Sequence, residues 1–115
     1  MGACTFETYG HGTTALQAFT DALERAYYDH GHSGYSGSIA EKEGFVEFSL
    51  PVDKTLNDFD AAINSHLDDD SAPMRKLFGD ETTSRLLSAY DSKWGPAVAI
   101  KSGDNEWYFC GWASC

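Results

Sequence analysis

The chain has 115 residues, 42% of them hydrophobic and 14% aromatic, and a formal net charge of −10 at pH 7. This length suits a single domain whose core needs no metal or disulfide support, and the aromatic content argues against disorder. The negative charge disfavours direct contact with nucleic acid or membranes and favours basic partners, and no apolar run approaches the roughly 20 residues of a membrane span.

The first half of the chain predicts a strand, a helix and a β-hairpin. ACTFETY at residues 3–9 is a candidate for a short first strand, which GHG then ends. A helix is predicted from Thr13 or Thr14 to about Asp29, with Gly31 as its C-terminal residue. Its apolar face is spaced as in a helix and comprises Leu16, Phe19, Leu23, Ala26, Tyr27 and His30. SGSIAEK and FVEFSL flank the turn pair Glu43-Gly44, so residues 37–50 predict a hairpin.

The second half predicts three helices and another hairpin. Thr55 and Asp58 form a capping signal for a helix that buries Leu56, Phe59, Ile63 and Leu67. SAPMRKLFG predicts a short helix closed by Gly79, and DETTSRLLSAY predicts a further one. PAVAIK and EWYFCGW flank the turn SGDN as a hairpin. The predicted class is α+β: an antiparallel sheet of two β-hairpins, with the N-terminal strand as a candidate addition, packed on one face against three to four helices in one domain, residues 1–115.

The cysteines predict a reduced, cytoplasmic chain. Cys4, Cys110 and Cys115 form no C-x-x-C pair and are odd in number, a pattern typical of free thiols. The first twelve residues also lack the basic and apolar regions of a secretory signal. The sequence does not indicate an oligomeric state.

The acidic residues concentrate in the middle of the chain. Residues 41–70 hold nine acids against Lys42 and Lys54, whereas residues 71–115 are balanced. Asp68–Asp70 follow a predicted helix, where each negative charge costs about 0.3–1 kcal/mol, and a cost without structural return suggests a function. Such carboxylates would replace phosphates opposite lysine and arginine, beside a hydrophobic anchor. The predicted partner contacts are Glu41, Glu43, Glu47, Asp58, Asp68, Asp69, Asp70 and Tyr35.

The segment DHGHSGYSGSIAEK, residues 29–42, is the alternative candidate site. Histidine is a common zinc ligand, so His11, His30 and His32, with Tyr35 nearby, are the alternative metal or hydrolytic site. His30 also fits a structural role in the last helical turn. The glycines follow a helix rather than precede one, unlike a phosphate loop. Glu41 and Lys42 are predicted to be adjacent on a strand and to point to opposite faces. We predict no catalytic residue and no cofactor.

Residues 27–45, YYDHGHSGYSGSIAEKEGF, carry a resemblance. They resemble a segment, G-Y-(S/T)-G-(S/T)-I-A-E-K-x-G-F after a helix, of small hypothetical proteins from bacteriophages and mobile elements. The resemblance implies a phage or mobile-element origin and, by analogy, the class of small acidic inhibitors of host defence, including anti-CRISPR and anti-restriction proteins and DNA mimics. We therefore expect a non-enzymatic protein that inhibits a host nucleic-acid-handling defence protein by presenting carboxylates to its basic surface.

Overall fold

The computed structural model describes residues 2–31 and 34–115, which form four strands, three α-helices and one short 3-10 helix. The strands are β1 (Ala3–His11), β2 (Phe45–Phe48), β3 (Ala97–Gly103) and β4 (Glu106–Ser114). The α-helices are α1 (Ala15–His30), α2 (Leu56–Leu67) and α3 (Ala72–Asp91), and the 3-10 helix spans Ile39–Glu41. Helix α3 is interrupted at Gly79, where φ is 81°, so the predicted break at this residue is confirmed.

The strands form one mixed sheet in the order β1-β4-β3-β2. Strand β4 is antiparallel to both β1 and β3, whereas β2 runs parallel to β3. The α+β class and the C-terminal hairpin are therefore confirmed. The hairpin predicted at residues 37–50 is wrong, as is the purely antiparallel sheet. Residues 39–41 form the 3-10 helix instead, and Phe45–Phe48 pairs with Ala97–Ile100.

Helices cover both faces of the sheet, which corrects the expectation that they share one face. Helix α1 packs on Ala97, Ala99, Trp107 and Phe109, whereas α2 and α3 pack on Val98, Ile100, Tyr108 and Cys110. In the strand order, the connection from β1 to β2 runs from one edge of the sheet to the other. The connection from β2 to β3 runs one position back in the opposite direction. Right-handed crossovers that run in opposite directions place their helices on opposite faces.

Helix α1 lies close to β1 because small residues meet there. A Cβ on Gly10 would lie 2.0 Å from the carbonyl oxygen of Ala18, so this contact requires glycine. The buried face is formed mainly by alanines: Ala15, Ala18, Phe19, Ala22 and Ala26. The predicted face is wrong at its ends, since Leu16 is 65% exposed and His30 is exposed. Helix α2 buries Phe59 and Ile63 as predicted, but Leu56 is only half-buried and Leu67 is 43% exposed, so the prediction is wrong for Leu67.

A disulfide joins Cys4 to Cys115, whose Cα atoms lie 6.0 Å apart. The prediction of three reduced cysteines is therefore wrong for this pair. The cause is the pairing of β1 with β4, which sets Cys4 opposite Ala113 and brings residues 111 positions apart together. Cys110 remains a free thiol inside the core. In the described part of the chain, no helix combines the length and the apolar character needed to cross a membrane.

Candidate interaction surface at the β1 edge

Strand β1 lies at an edge of the sheet, and half of its backbone groups point away from β4. Gly2 and Cys115 exchange backbone hydrogen bonds, and Gly12 donates to Asn105, so the even-numbered residues face β4. In an extended strand, the N–H and C=O groups of successive residues point alternately toward and away from a given neighbouring strand. The outward N–H and C=O groups therefore belong to the odd-numbered residues Ala3, Thr5, Glu7, Tyr9 and His11.

Helix α1 closes one end of this edge. The Arg25 guanidinium donates to the Tyr9 carbonyl, and the His11 N–H donates to the Asp21 carboxylate at 2.9 Å. Arg25 and Asp21 also form an ion pair at 3.4 Å. Among the described residues, no side chain makes a comparable bond to the outward groups of residues 3–7. The open part of the edge is therefore its N-terminal part, Ala3–Glu7.

A groove of about 600 Å³ lies between β1 and α1. Its carboxylates are those of Glu7, Asp21, Glu24 and Asp29. Arg25 is the one lysine or arginine among the described lining residues, and Asp21 already pairs with it. The groove thus carries an excess of negative charge, which favours a cationic occupant.

Two more carboxylates approach the same edge from its other sides. Asp60 of α2 accepts a hydrogen bond from the Tyr108 hydroxyl at 3.0 Å, and Glu7 accepts from the same hydroxyl at 2.9 Å. Glu106 of β4 lies 3.2 Å from the imidazole of His11. Burial raises the pKa of the Tyr9 phenol, and the charges of Asp60, Glu106 and Glu7 raise it further. We call these six carboxylates the acidic edge: Glu7, Asp21, Glu24, Asp29, Asp60 and Glu106.

The Tyr108 hydroxyl ties this edge to the core. It has one proton to donate and two carboxylate acceptors, so it bonds fully to only one of them at a time. Burial raises the pKa of the phenol well above its usual range, and the neighbouring carboxylates add to this effect. The hydroxyl therefore stays protonated and holds β1 and α2 against β4.

A loop at residues 34–41 is organised around the Glu41 carboxylate. This carboxylate accepts hydrogen bonds from the Tyr35 N–H at 3.0 Å, the Ser36 N–H at 3.1 Å and the Ser36 hydroxyl at 2.7 Å. Burial raises the pKa of Glu41, but the hydrogen bonds from Ser36, Tyr35 and Ser114 outweigh it and leave the pKa lowered. Glu41 is therefore an anchor inside the loop, where its oxygens are already engaged.

The anchored loop displays Tyr35. Its φ is 55° and its surface is 50% exposed, a left-handed conformation that is uncommon for a bulky residue. Gly34 and Gly37 also have positive φ, and a Cβ on Gly37 would lie 3.0 Å from the Cβ of Cys115. Such strain is held by its surroundings and occurs often at functional sites. The loop, which adjoins the N-terminal end of β1 at Gly37, thus holds the Tyr35 backbone in place and exposes its aromatic side chain.

The aspartate run Asp68–Asp70 forms the turn between α2 and α3. Asp69 takes a left-handed φ of 65°, which aspartate tolerates, and Asp70 accepts from the Ala72 N–H at 3.1 Å. The run therefore has a structural role in this turn, and the expectation that its charges serve no structural purpose is wrong. All three residues remain exposed. They directly follow Leu67, which lines a cavity of about 320 Å³ with Thr5 and Glu7, so the run lies near the open end of β1.

The other predicted contacts divide into two groups. Asp58 is exposed, but it accepts from the Thr55 N–H at 2.9 Å as the capping signal predicts, and this bond lowers its pKa. Glu43 and Glu47 are exposed at the β2 edge, three strands away from β1. The structure therefore places the loop that carries Tyr35, and the helix end that precedes Asp68–Asp70, near β1, and it separates Glu43 and Glu47 from them.

Lys42 has a role that the sequence did not indicate. Its ammonium is buried and donates to the carbonyls of Ser92 and Gly95 at 3.0 Å each, and burial lowers its pKa. The expectation that Glu41 and Lys42 lie on a strand is wrong, although their side chains do diverge. Lys42 holds the turn before β3, whereas Glu41 holds the anchored loop.

The alternative histidine site is not assembled within the described residues. His11 contacts Asp21, near the middle of α1, and Glu106 at the start of β4. His30 ends α1 nine residues beyond Asp21, about 13 Å along the axis. His32 lies outside the described residues. Where the chain is described, no three histidine, cysteine or acidic side chains are grouped to hold a metal ion.

Sequence reasoning missed the acidic edge because its members are dispersed along the chain. They come from β1, α1, α2 and β4, and three of them stand on α1 alone: Asp21, Glu24 and Asp29. The signal for them in the sequence was the row of polar residues on the outer side of α1. Only the fold shows that this side of the helix borders a strand edge. In comparisons with protein-family models, curated proteins and solved structures, nothing matches this chain.

Proposed function

We propose that this protein is a non-enzymatic binding protein that inhibits a basic partner. The partner class is a host nucleic-acid-handling defence protein, and the origin implied by residues 27–45 is a phage or mobile element. The carboxylates take the positions that phosphates would occupy opposite lysine and arginine. Charge of this kind steers association and gives specificity.

The observation that carries the proposal is the convergence of six carboxylates on one strand edge. They come from four elements and leave one arginine, Arg25, among the described residues that line the groove. Like charges gathered on one surface repel one another and lower stability unless a partner neutralises them. A basic partner supplies that neutralisation.

Two features predicted from the sequence complete the surface at the open end of β1. Tyr35 lies on the anchored loop, whose Gly37 adjoins the Cys4–Cys115 bond, and provides the aromatic anchor that binding hot spots favour. Asp68–Asp70 lie on the opposite face, after Leu67, which is 43% exposed. Glu43 and Glu47 remain predicted contacts of a second, separate group at the β2 edge.

The proposed partner implies action in the cytoplasm of a bacterial host. Disulfides persist mainly in oxidising compartments, so there the Cys4–Cys115 pair would be reduced. The acidic edge does not include either cysteine, and β1 pairs with β4 over all nine of its residues, so we expect this pairing to persist without the bond. Binding should therefore be retained in the presence of a reductant.

Matched charge-neutralised variants test the proposal. Glu24→Gln with Asp29→Asn removes two charges from the groove, and Glu43→Gln with Glu47→Gln removes two from the β2 edge. Each protein is used to capture partners from a bacterial lysate at low and high salt. We expect capture that high salt abolishes and that the groove variant loses, while the β2 variant retains it. Capture that is insensitive to both salt and the groove substitutions would contradict the proposal.

A further inference from the structure

We infer that the open part of β1 binds an extended, basic segment of the partner as a fifth strand of the sheet. This inference rests on the proposed function and specifies how the partner is held. Strand addition to an exposed edge supplies backbone hydrogen bonds for affinity and alternate side chains for specificity.

The backbone geometry supports strand addition at residues 3–7. Ala3, Thr5 and Glu7 direct their N–H and C=O groups away from β4, and among the described residues no side chain bonds to them. Beyond them, Arg25 and Asp21 occupy the Tyr9 carbonyl and the His11 N–H. Proteins commonly cover exposed edges in this way. Here the covering side chains reach only as far as Tyr9, which leaves Ala3–Glu7 as a short segment to which a strand can dock.

The charge around the edge selects a basic segment as the occupant. Glu24 and Asp29 lie on the α1 side of the strand, and Asp60 lies on the α2 side. Side chains of an added strand alternate between the two faces, so lysine or arginine at neighbouring positions would meet carboxylates on either side. A second copy of this chain would instead bring another charge of −10 against the same surface, which disfavours β1 pairing with β1.

Two synthetic peptides separate backbone pairing from charge attraction. The first is a short capped peptide in which pairs of lysines alternate with pairs of valines, so that each face of the added strand carries lysine. The second has the same sequence and charge but is N-methylated at two consecutive central residues, which removes a donor from each edge of the peptide. Affinity is measured by titration, and the amide resonances of Thr5 and Glu7 are followed by NMR. We expect the first peptide to bind about tenfold more tightly, since each lost hydrogen bond costs about 0.5–1.5 kcal/mol, and to shift both amide resonances.

A backbone variant provides the matching change in the protein. Thr5→Pro removes an outward N–H without touching the pairing with β4, and proline is tolerated at such edge positions. Thr5→Ala is the control. We expect Thr5→Pro to bind the first peptide severalfold less tightly than Thr5→Ala does, and Thr5→Ala to discriminate between the peptides as the unsubstituted protein does; melting curves verify folding. Equal binding of both peptides by the unsubstituted protein would overturn strand addition while leaving the acidic surface intact. Binding of neither peptide would overturn both proposals.

Discussion

The two edges of the sheet differ in length, cover and charge. Strand β1 has nine residues and is covered only at one end, whereas β2 has four and is followed by Pro51. A short edge strand with a nearby proline is a common protection against unwanted pairing. Six carboxylates surround β1, whereas β2 contains Glu47 and is preceded by Glu43. The difference indicates that β2 is protected by its own brevity and that β1 remains available to a partner.

Removing the disulfide should have the largest effect on the free energy of unfolding. The bond lies on the β1 side of the sheet, and β2 has no equivalent among the described residues. The bond closes a loop of 111 residues, and such bonds contribute typically about 2–4 kcal/mol. We expect Cys4→Ser to lower the free energy of unfolding by about this amount, as measured by urea denaturation without reductant. With reductant the variant and the unsubstituted protein should unfold alike; a difference that persists there would contradict this assignment.

Gly10→Ala should loosen the contact that forms the groove. Its Cβ would meet the Ala18 carbonyl at 2.0 Å, and overpacking of this kind costs about 1–3 kcal/mol. Gly44→Ala, just before β2, is the matched control, since a Cβ there has no heavy atom within 4 Å. Thermal unfolding should show a lower Tm for the first variant and little change for the second. Equal Tm values would show that α1 does not need its close approach to β1.

Acidification should release the anchored loop beside β1. The pKa of Glu41 is lowered in the folded protein, so its contribution to stability is present above the unfolded value of about 4.3 and is lost as pH falls through the folded value. We expect the Tyr35 and Ser36 amides to lose protection from hydrogen exchange, relative to the intrinsic rate at each pH, as the pH falls through the lowered pKa of Glu41. Glu41→Gln should show low protection at every pH; full protection in that variant would contradict the anchoring role.

Neutralising surface charges should have the smallest effect on stability at either edge. Glu24, Asp29, Glu43 and Glu47 are exposed, and substitutions at such positions usually change the free energy of unfolding by less than about 0.5 kcal/mol. The β2 double variant should therefore unfold like the unsubstituted protein in urea, and the groove double variant should gain no more than about 0.5 kcal/mol from the loss of like-charge repulsion. A large loss in either would mean that its carboxylates are structural.

The sequence predicted elements whose signals are local. The capping pair Thr55 and Asp58, the break at Gly79 and the C-terminal hairpin all depend on residues close together in the chain. The first hairpin failed because Glu41 takes the N–H groups of Tyr35 and Ser36, and because β2 pairs with a strand about fifty residues away. The disulfide and the acidic edge depend on the pairing of the first strand with the last, for which no short motif exists.

The most direct test of the binding surface is the affinity of the peptide of paired lysines and paired valines for the two charge-matched double variants, measured at low and high salt. We predict that Glu24→Gln with Asp29→Asn weakens binding severalfold at low salt, that Glu43→Gln with Glu47→Gln binds like the unsubstituted protein, and that high salt removes the difference. Equal weakening by the two variants would show that only net charge matters and would contradict a binding surface at the β1 edge.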